Sequence, residues 1–144
     1  MTLPETFDHR GLAVLTLSEC LRRLRVTSLG RLAFVQSGDV MIVPVNYVLD
    51  GMTVMLRSSS GTKLQVAEDA RPVGFEIDGR DPEPGPAWSV LVQGVAQVVD
   101  DPATVRRCEN LALAPAPGHD PTASWIGIRA DEISGREIPL YRFS

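Results

Sequence analysis

Cysteine and histidine are scarce in this chain, with two of each among 144 residues, and that scarcity removes several kinds of chemistry at once. Cys20 and Cys108 match no metal-binding or redox spacing. Both fall at apolar positions of expected helices, which points to reduced, buried thiols in a cytoplasmic protein. His9, near the N-terminus, and His119, in a Gly/Pro-rich loop, stand beside no serine or cysteine partner and do not make a metal cluster. Positive charge is not in excess either. The net charge of −4 and pI near 5.1 argue against a nucleic-acid or anionic-membrane surface, so any anion site must be a local positive pocket on an acidic body. No apolar run approaches the ~20 residues that span a bilayer. The opening MTLPETFDHRG places Pro4 and acids before any apolar stretch and does not read as a signal peptide.

What is present is the composition of a small globular domain, 44% hydrophobic and 22% charged. The length fits one domain, with residues 1–13 as an N-terminal arm and 14–144 as the body. Thr16-Leu-Ser-Glu19 has the form of a capping box, and Leu17, Cys20, Leu21 and Leu24 then make one apolar helical stripe. Arg22, Arg23 and Arg25 fall on its other side as a solvated face. From Gly30 the period changes. Residues 31–35 and 40–49 read as strands around a Ser37-Gly38-Asp39 turn, and a third strand, 52–57, follows Asp50-Gly51. A short helix, a fourth strand over 73–78 and an exposed loop over 79–86 come next. A long fifth strand runs from Trp88 to Val99, with Gly94 marking a bend. Asp101-Pro102 starts a helix, and residues 124–129 read as a sixth strand, with a short last strand or tail over 137–143. Six antiparallel strands with short helices between them fit a closed barrel, which removes the sheet edges.

Two segments carry candidate chemistry. In TVMLRSSSGTKLQVA, a strand ends at Arg57, passes three serines and Gly61, and enters a helix near Lys63. Ser58, Ser59 and Ser60 offer hydroxyls, and Gly61 permits close backbone approach. The helix start offers unpaired N–H groups and the positive end of its dipole. Arg57 supplies a bidentate cation and Lys63 a point charge, together a seat for a phosphate. In Pro44-Val45-Asn46-Tyr47-Val48, proline breaks the ladder and frees backbone groups to face a flat heterocycle. There Asn46 donates and accepts, and Tyr47 can stack. Glu76 and Asp78 share a strand face, but no acid–base role follows from that alone. Any reaction would therefore be carried by a bound cofactor.

The ordered motifs GRLAF, PVNYV, R-S-x-x-G-x-K, Phe-Glu-Ile-Asp and W-S-V-x-V-x-G together resemble the pyridoxamine 5′-phosphate oxidase-like flavoproteins, whose fold is the FMN-binding split barrel. The resemblance covers roughly residues 14–138 and implies a mainly β, six-stranded antiparallel split barrel with short flanking helices. It also implies a homodimer holding FMN at the subunit interface and acting on a small molecule. By that resemblance Arg57, Ser58, Ser59 and Lys63 hold the phosphate. The backbone of Val45, Asn46 and Tyr47 lines the isoalloxazine, and Trp88, Ser89 and Gln93 approach from the partner chain. Trp125 and Arg129 would border the substrate side. The tail, Arg136 to Ser144, lacks an arginine-rich substrate motif, which speaks against vitamin synthesis. A deazaflavin coenzyme in the same pocket, or a non-catalytic flavin- or haem-binding sensor or carrier, are the alternatives on this fold.

Overall fold

The computed structural model describes residues 6–8, 11–59, 61–112 and 123–139. His9, Ser60, His119 and the tail from residue 140 lie outside the described residues. Alternation of apolar and polar residues builds most of the chain into strands. Two short ones, β1 (Thr6–Phe7) and β2 (Ala13–Val14), precede helix α1 (Leu17–Val26). Then come β3 (Leu29–Gln36), β4 (Asp39–Asn46), β5 (Val48–Asp50) and β6 (Thr53–Ser58). Helix α2 (Thr62–Glu68), β7 (Pro72–Arg80), β8 (Ala87–Val99), α3 (Pro102–Leu111) and β9 (Ser124–Ile138) complete the order.

All pairings are antiparallel, in the order β1-β2-β9-β8-β7-β3-β4, and β6 joins the first half of β9 and also β5. The ladder does not close between β4 and β6, which leaves the barrel split there. The expected architecture stands, but nine strands replace six among the described residues. The N-terminal residues contribute two of the additional strands: Thr6 pairs with Val14 and Phe7 with Ala13, and Val14 pairs in turn with Arg136 on β9. The expected strand over 40–49 divides at Tyr47, where the chain changes partner: its N–H still bonds the Ser28 carbonyl at 3.0 Å in register with β3, and from Val48 onward the chain pairs with β6. The last strand is continuous over fifteen residues. A register shift at Gln93/Gly94 supplies the bend expected there.

The barrel interior is filled by Leu24, Leu32, Val54, Leu56, Phe75, Ile77, Val90, Val92, Ile126 and Ile128. A second cluster, Met55, Cys108 and Trp125, lies under α3 with Val48, Val99 and Val105. Cys20 and Cys108 are both buried and free, and desolvation pushes both thiols up from their ordinary values. Among the described residues no helix is long and apolar enough to cross a membrane.

Candidate functional site

Strand alternation decides which expected site residues share a face. On β6, Arg57 stands opposite Trp125 of β9, on the α3 side, with its guanidinium carbon 5.3 Å from the indole centroid. Arg57 also donates to the Ala123 carbonyl at 3.3 Å. Ser58, the next residue, is buried and points to the opposite side of the strand. Ser59 is exposed. Helix α2 then begins at Gly61, whose φ of +91° suits glycine. An added Cβ there would meet nothing within 4 Å, so the approach to the helix mouth is open.

The three helix starts differ in a telling way. Thr16 accepts from the Glu19 N–H at 3.2 Å, and Asp101 accepts from the Thr104 N–H at 3.0 Å. Among the described residues no side chain caps α2. Its first-turn donors therefore lie beside the half-buried Lys63 with no cap of their own among the described residues. Lys63, the exposed Ser59 and the helix start supply residue types that a phosphate seat uses, while the Arg57 guanidinium is turned toward Ala123 and Trp125.

The Pro44–Val48 segment divides between two faces. Val45 and Tyr47 are core residues, whereas Pro44 and Asn46 point outward. The stacking role expected for the Tyr47 ring is therefore corrected. The ring packs edge-on to Phe75, centroids 4.8 Å apart, and its hydroxyl donates to the Leu24 carbonyl at 2.8 Å. Burial pushes its pKa up, so the phenol stays neutral.

Asn46 belongs to an outward sheet face that crosses four strands. Register pairs Leu29 with Asn46, Arg31 with Pro44, Ala33 with Ile42 and Val35 with Val40. It continues from Arg31 to Glu76 on β7 and to Leu91 on β8, and pairs Asp78 with Ser89 and Gly74 with Gln93. Asn46, Ser89 and Gln93, which are distant in sequence, are thus brought to one surface. Trp88 faces the other way. Its indole packs on the core, under the Arg23 guanidinium at 4.4 Å, and against Gly79, where an added Cβ would come within 2.9 Å of the ring. Arg23 is therefore not simply a solvated residue; it closes Trp88 within its own chain. Trp125 is likewise core rather than a border of an open site, and Arg129 is exposed.

An ion triad at the centre of this face escaped sequence reasoning. Arg31 Nη1 contacts Asp78 Oδ2 at 2.6 Å and Glu76 Oε1 at 3.5 Å. Desolvation and the neighbouring Asp78 push Glu76 up to about 7, while a hydrogen bond from Glu76 and the Arg31 charge hold Asp78 low. An open groove of about 560 Å³ runs past Glu76, Asp78, Arg80, Glu83, Trp88 and Ser89. The FEID motif showed both acids on one face; the facing cation depended on a strand register that the sequence does not display.

Comparison with known proteins follows the same outline. A family model described as pyridoxamine 5′-phosphate oxidase matches residues 16–137. The chain belongs to the pyridoxamine 5′-phosphate oxidase family. The FAD binding protein from Mycobacterium smegmatis superposes with a TM-score of 0.73 at 31% identity, covering 88% of this chain and 98% of that one. A conserved protein of unknown function from Corynebacterium diphtheriae superposes at 0.69 with 33% identity, over 88% and 98% of the two chains. An uncharacterized protein of Mycobacterium tuberculosis is 32% identical over 107 residues, 71% of this chain and 70% of the relative. Family membership and split-barrel fold thus stand on sequence and structure alike.

Proposed function

We propose that this protein is a flavin-dependent oxidoreductase that binds FMN and acts, as a homodimer, on a small organic molecule. The observation that carries the reading is the uncapped start of α2 between Arg57 and Lys63, in a chain whose family and fold are those of flavoproteins. Bound flavin would supply hydride transfer, a chemistry no constellation of described side chains offers. The chain's own part is to bind and orient: cations and helix N–H groups hold the anionic end, and the outward surface of Asn46, Ser89 and Gln93 offers polar groups to a ring system.

The homodimer is supported by the outward face of β3 and β4. Leu29, Val35, Val40 and Ile42 are 58%, 54%, 73% and 64% exposed there, too much apolar surface on one edge hairpin for a monomer in water. A second reading on the coenzyme comes from the Mycobacterium smegmatis relative, which is an FAD binding protein. FAD shares the riboflavin phosphate and adds an adenylate.

Purification, absorbance spectroscopy and mass spectrometry of the released ligand test these readings together. A flavin band with an FMN mass supports the proposal, an FAD mass moves it to the second coenzyme, and colourless protein that takes up neither flavin refutes both. Lys63→Ala is expected to weaken flavin binding by about 1.5–3 kcal/mol, the worth of a hydrogen bond to a charged group. Fluorescence titration that finds its affinity unchanged would remove the phosphate assignment.

A further inference from the structure

The Arg31–Glu76–Asp78 triad sits on an outward face that also carries Leu29, Val35, Val40, Ile42 and Leu91, and its charges do not balance. One guanidinium stands against two carboxylates, and the short contact of 2.6 Å commits it to Asp78, leaving Glu76 at 3.5 Å. Arg80 lies on the same face of β7 as Glu76 and lines the same groove. Across β8 Glu76 meets Leu91, and the facing stretch of β4 offers Pro44 and Asn46 beyond Arg31. Arg80 is engaged by the Gly85 carbonyl at 2.6 Å, and Glu83 on the groove's loop side adds negative charge. On β9, Arg136 is held by Asp8 at 3.1 Å, and Glu132 stands opposite Gln93.

Resting on the homodimer reading, we propose that two copies of this chain pair through the outward face of β3, β4, β7 and β8, and that each copy takes up one proton on the Glu76–Asp78 pair as the face closes. The dimer then tightens as the solution becomes more acidic. A second copy is the occupant because the face is self-complementary. It carries Leu29 on one side of Arg31 and Val35, Val40 and Ile42 on the other, so a two-fold partner presents the same apolar surface. β4 pairs on one side only, an edge that needs a cover.

The physics of closure requires the proton. Removing water from a triad of net charge −1 is costly, and protonating one carboxylate makes it neutral. The proton comes from solvent, sits on the Glu76 carboxyl and is donated to the Asp78 carboxylate. Glu76 already holds a proton to about pH 7 in the single chain, and burial raises that value further. Dimer thus binds more protons than monomer at and above neutrality, and dissociation strengthens as pH rises through that window. With one proton per subunit the linkage limit is about a hundredfold in dissociation constant per pH unit.

The test is fluorescence-detected sedimentation of the flavin-loaded protein, as purified, on dilution between about pH 6 and pH 8.5. Subunit exchange between differently labelled samples reports where the dimer is too tight to dilute. Wild type is expected to dissociate, or exchange, about tenfold or more readily at the alkaline end. Glu76→Gln, which copies the protonated carboxyl, is expected to stay tight and flat across the range. A dimer whose dissociation and exchange ignore pH, or a slope that persists in Glu76→Gln, overturns the inference while the homodimer reading survives. A monomer at every pH removes both.

Discussion

Tyr47 shows how much one side chain of this fold does. Its ring closes the core against Phe75, its hydroxyl ties β5's approach to the end of α1, and its N–H extends the β3–β4 pairing to Ser28. Tyr47→Phe should keep the packing and lose the bond to the Leu24 carbonyl, costing about 1 kcal/mol in urea unfolding with flavin affinity unchanged. A larger effect on flavin than on stability would show the hydroxyl to be exposed to ligand. Gly79 is the second informative residue, because the Trp88 indole occupies the space of its missing side chain. Gly79→Ala should cost about 1–3 kcal/mol as the indole and Arg23 are displaced, read as a lower midpoint and a shifted tryptophan emission. An alanine variant with wild-type stability and emission would mean the contact is not tight.

At the level of elements, the helices differ in how they begin. Residues capable of capping open α1 and α3, and both do so; the Asp101 carboxyl is held low by its hydrogen bonds to Thr104. Thr16→Ala should cost about 1 kcal/mol, measured by chemical denaturation, because it orphans the Glu19 N–H. Glu19 itself turns to Arg22 and Arg23, at 2.6 and 3.1 Å, which sets the arginine that covers Trp88. The start of α2 has no such cap among the described residues, and that difference makes it the candidate phosphate seat rather than a third ordinary helix. The start of α3 and the turn at Ser37-Gly38 were plain in the sequence, since an Asp-Pro start and a Ser-Gly-Asp turn act through their own backbone. The break between β4 and β5 was not plain, because it depends on a change of partner from β3 to β6 that the segment's own residues do not display.

For the molecule as a whole, the unbalanced triad makes folding stability depend on pH. Glu76 is pushed up to about 7 in the native state, whereas an unfolded glutamate titrates near ~4.3. Its contribution is full below the unfolded value and is lost as pH rises through about 7, because the native chain holds the proton that the unfolded one has released. Wild type and Glu76→Gln should therefore have similar urea midpoints near ~pH 4.5, with the glutamine variant pulling ahead by ~pH 8. Equal midpoints at both would show that Glu76 titrates as an ordinary exposed acid. The depressed Asp78 works in the opposite sense, losing its share only as the solution becomes strongly acidic.

Residue type and short-range order were enough to establish a β-rich barrel with three short helices, a cationic turn at residues 57–63 and the family that carries it. Those features arise from alternation, caps and turns, whose physics acts over a few residues. Three-dimensional packing added what alternation could not. It sent Tyr47 and Trp88 inward, placed Ser58 and Arg57 on opposite sides of one strand, and set Arg31 against two acids whose numbers lie more than forty residues away. The reason is register. A strand's own sequence says which residues share a face, but the partner across the ladder, and hence the balance of charge on that face, exists only once the strands are paired.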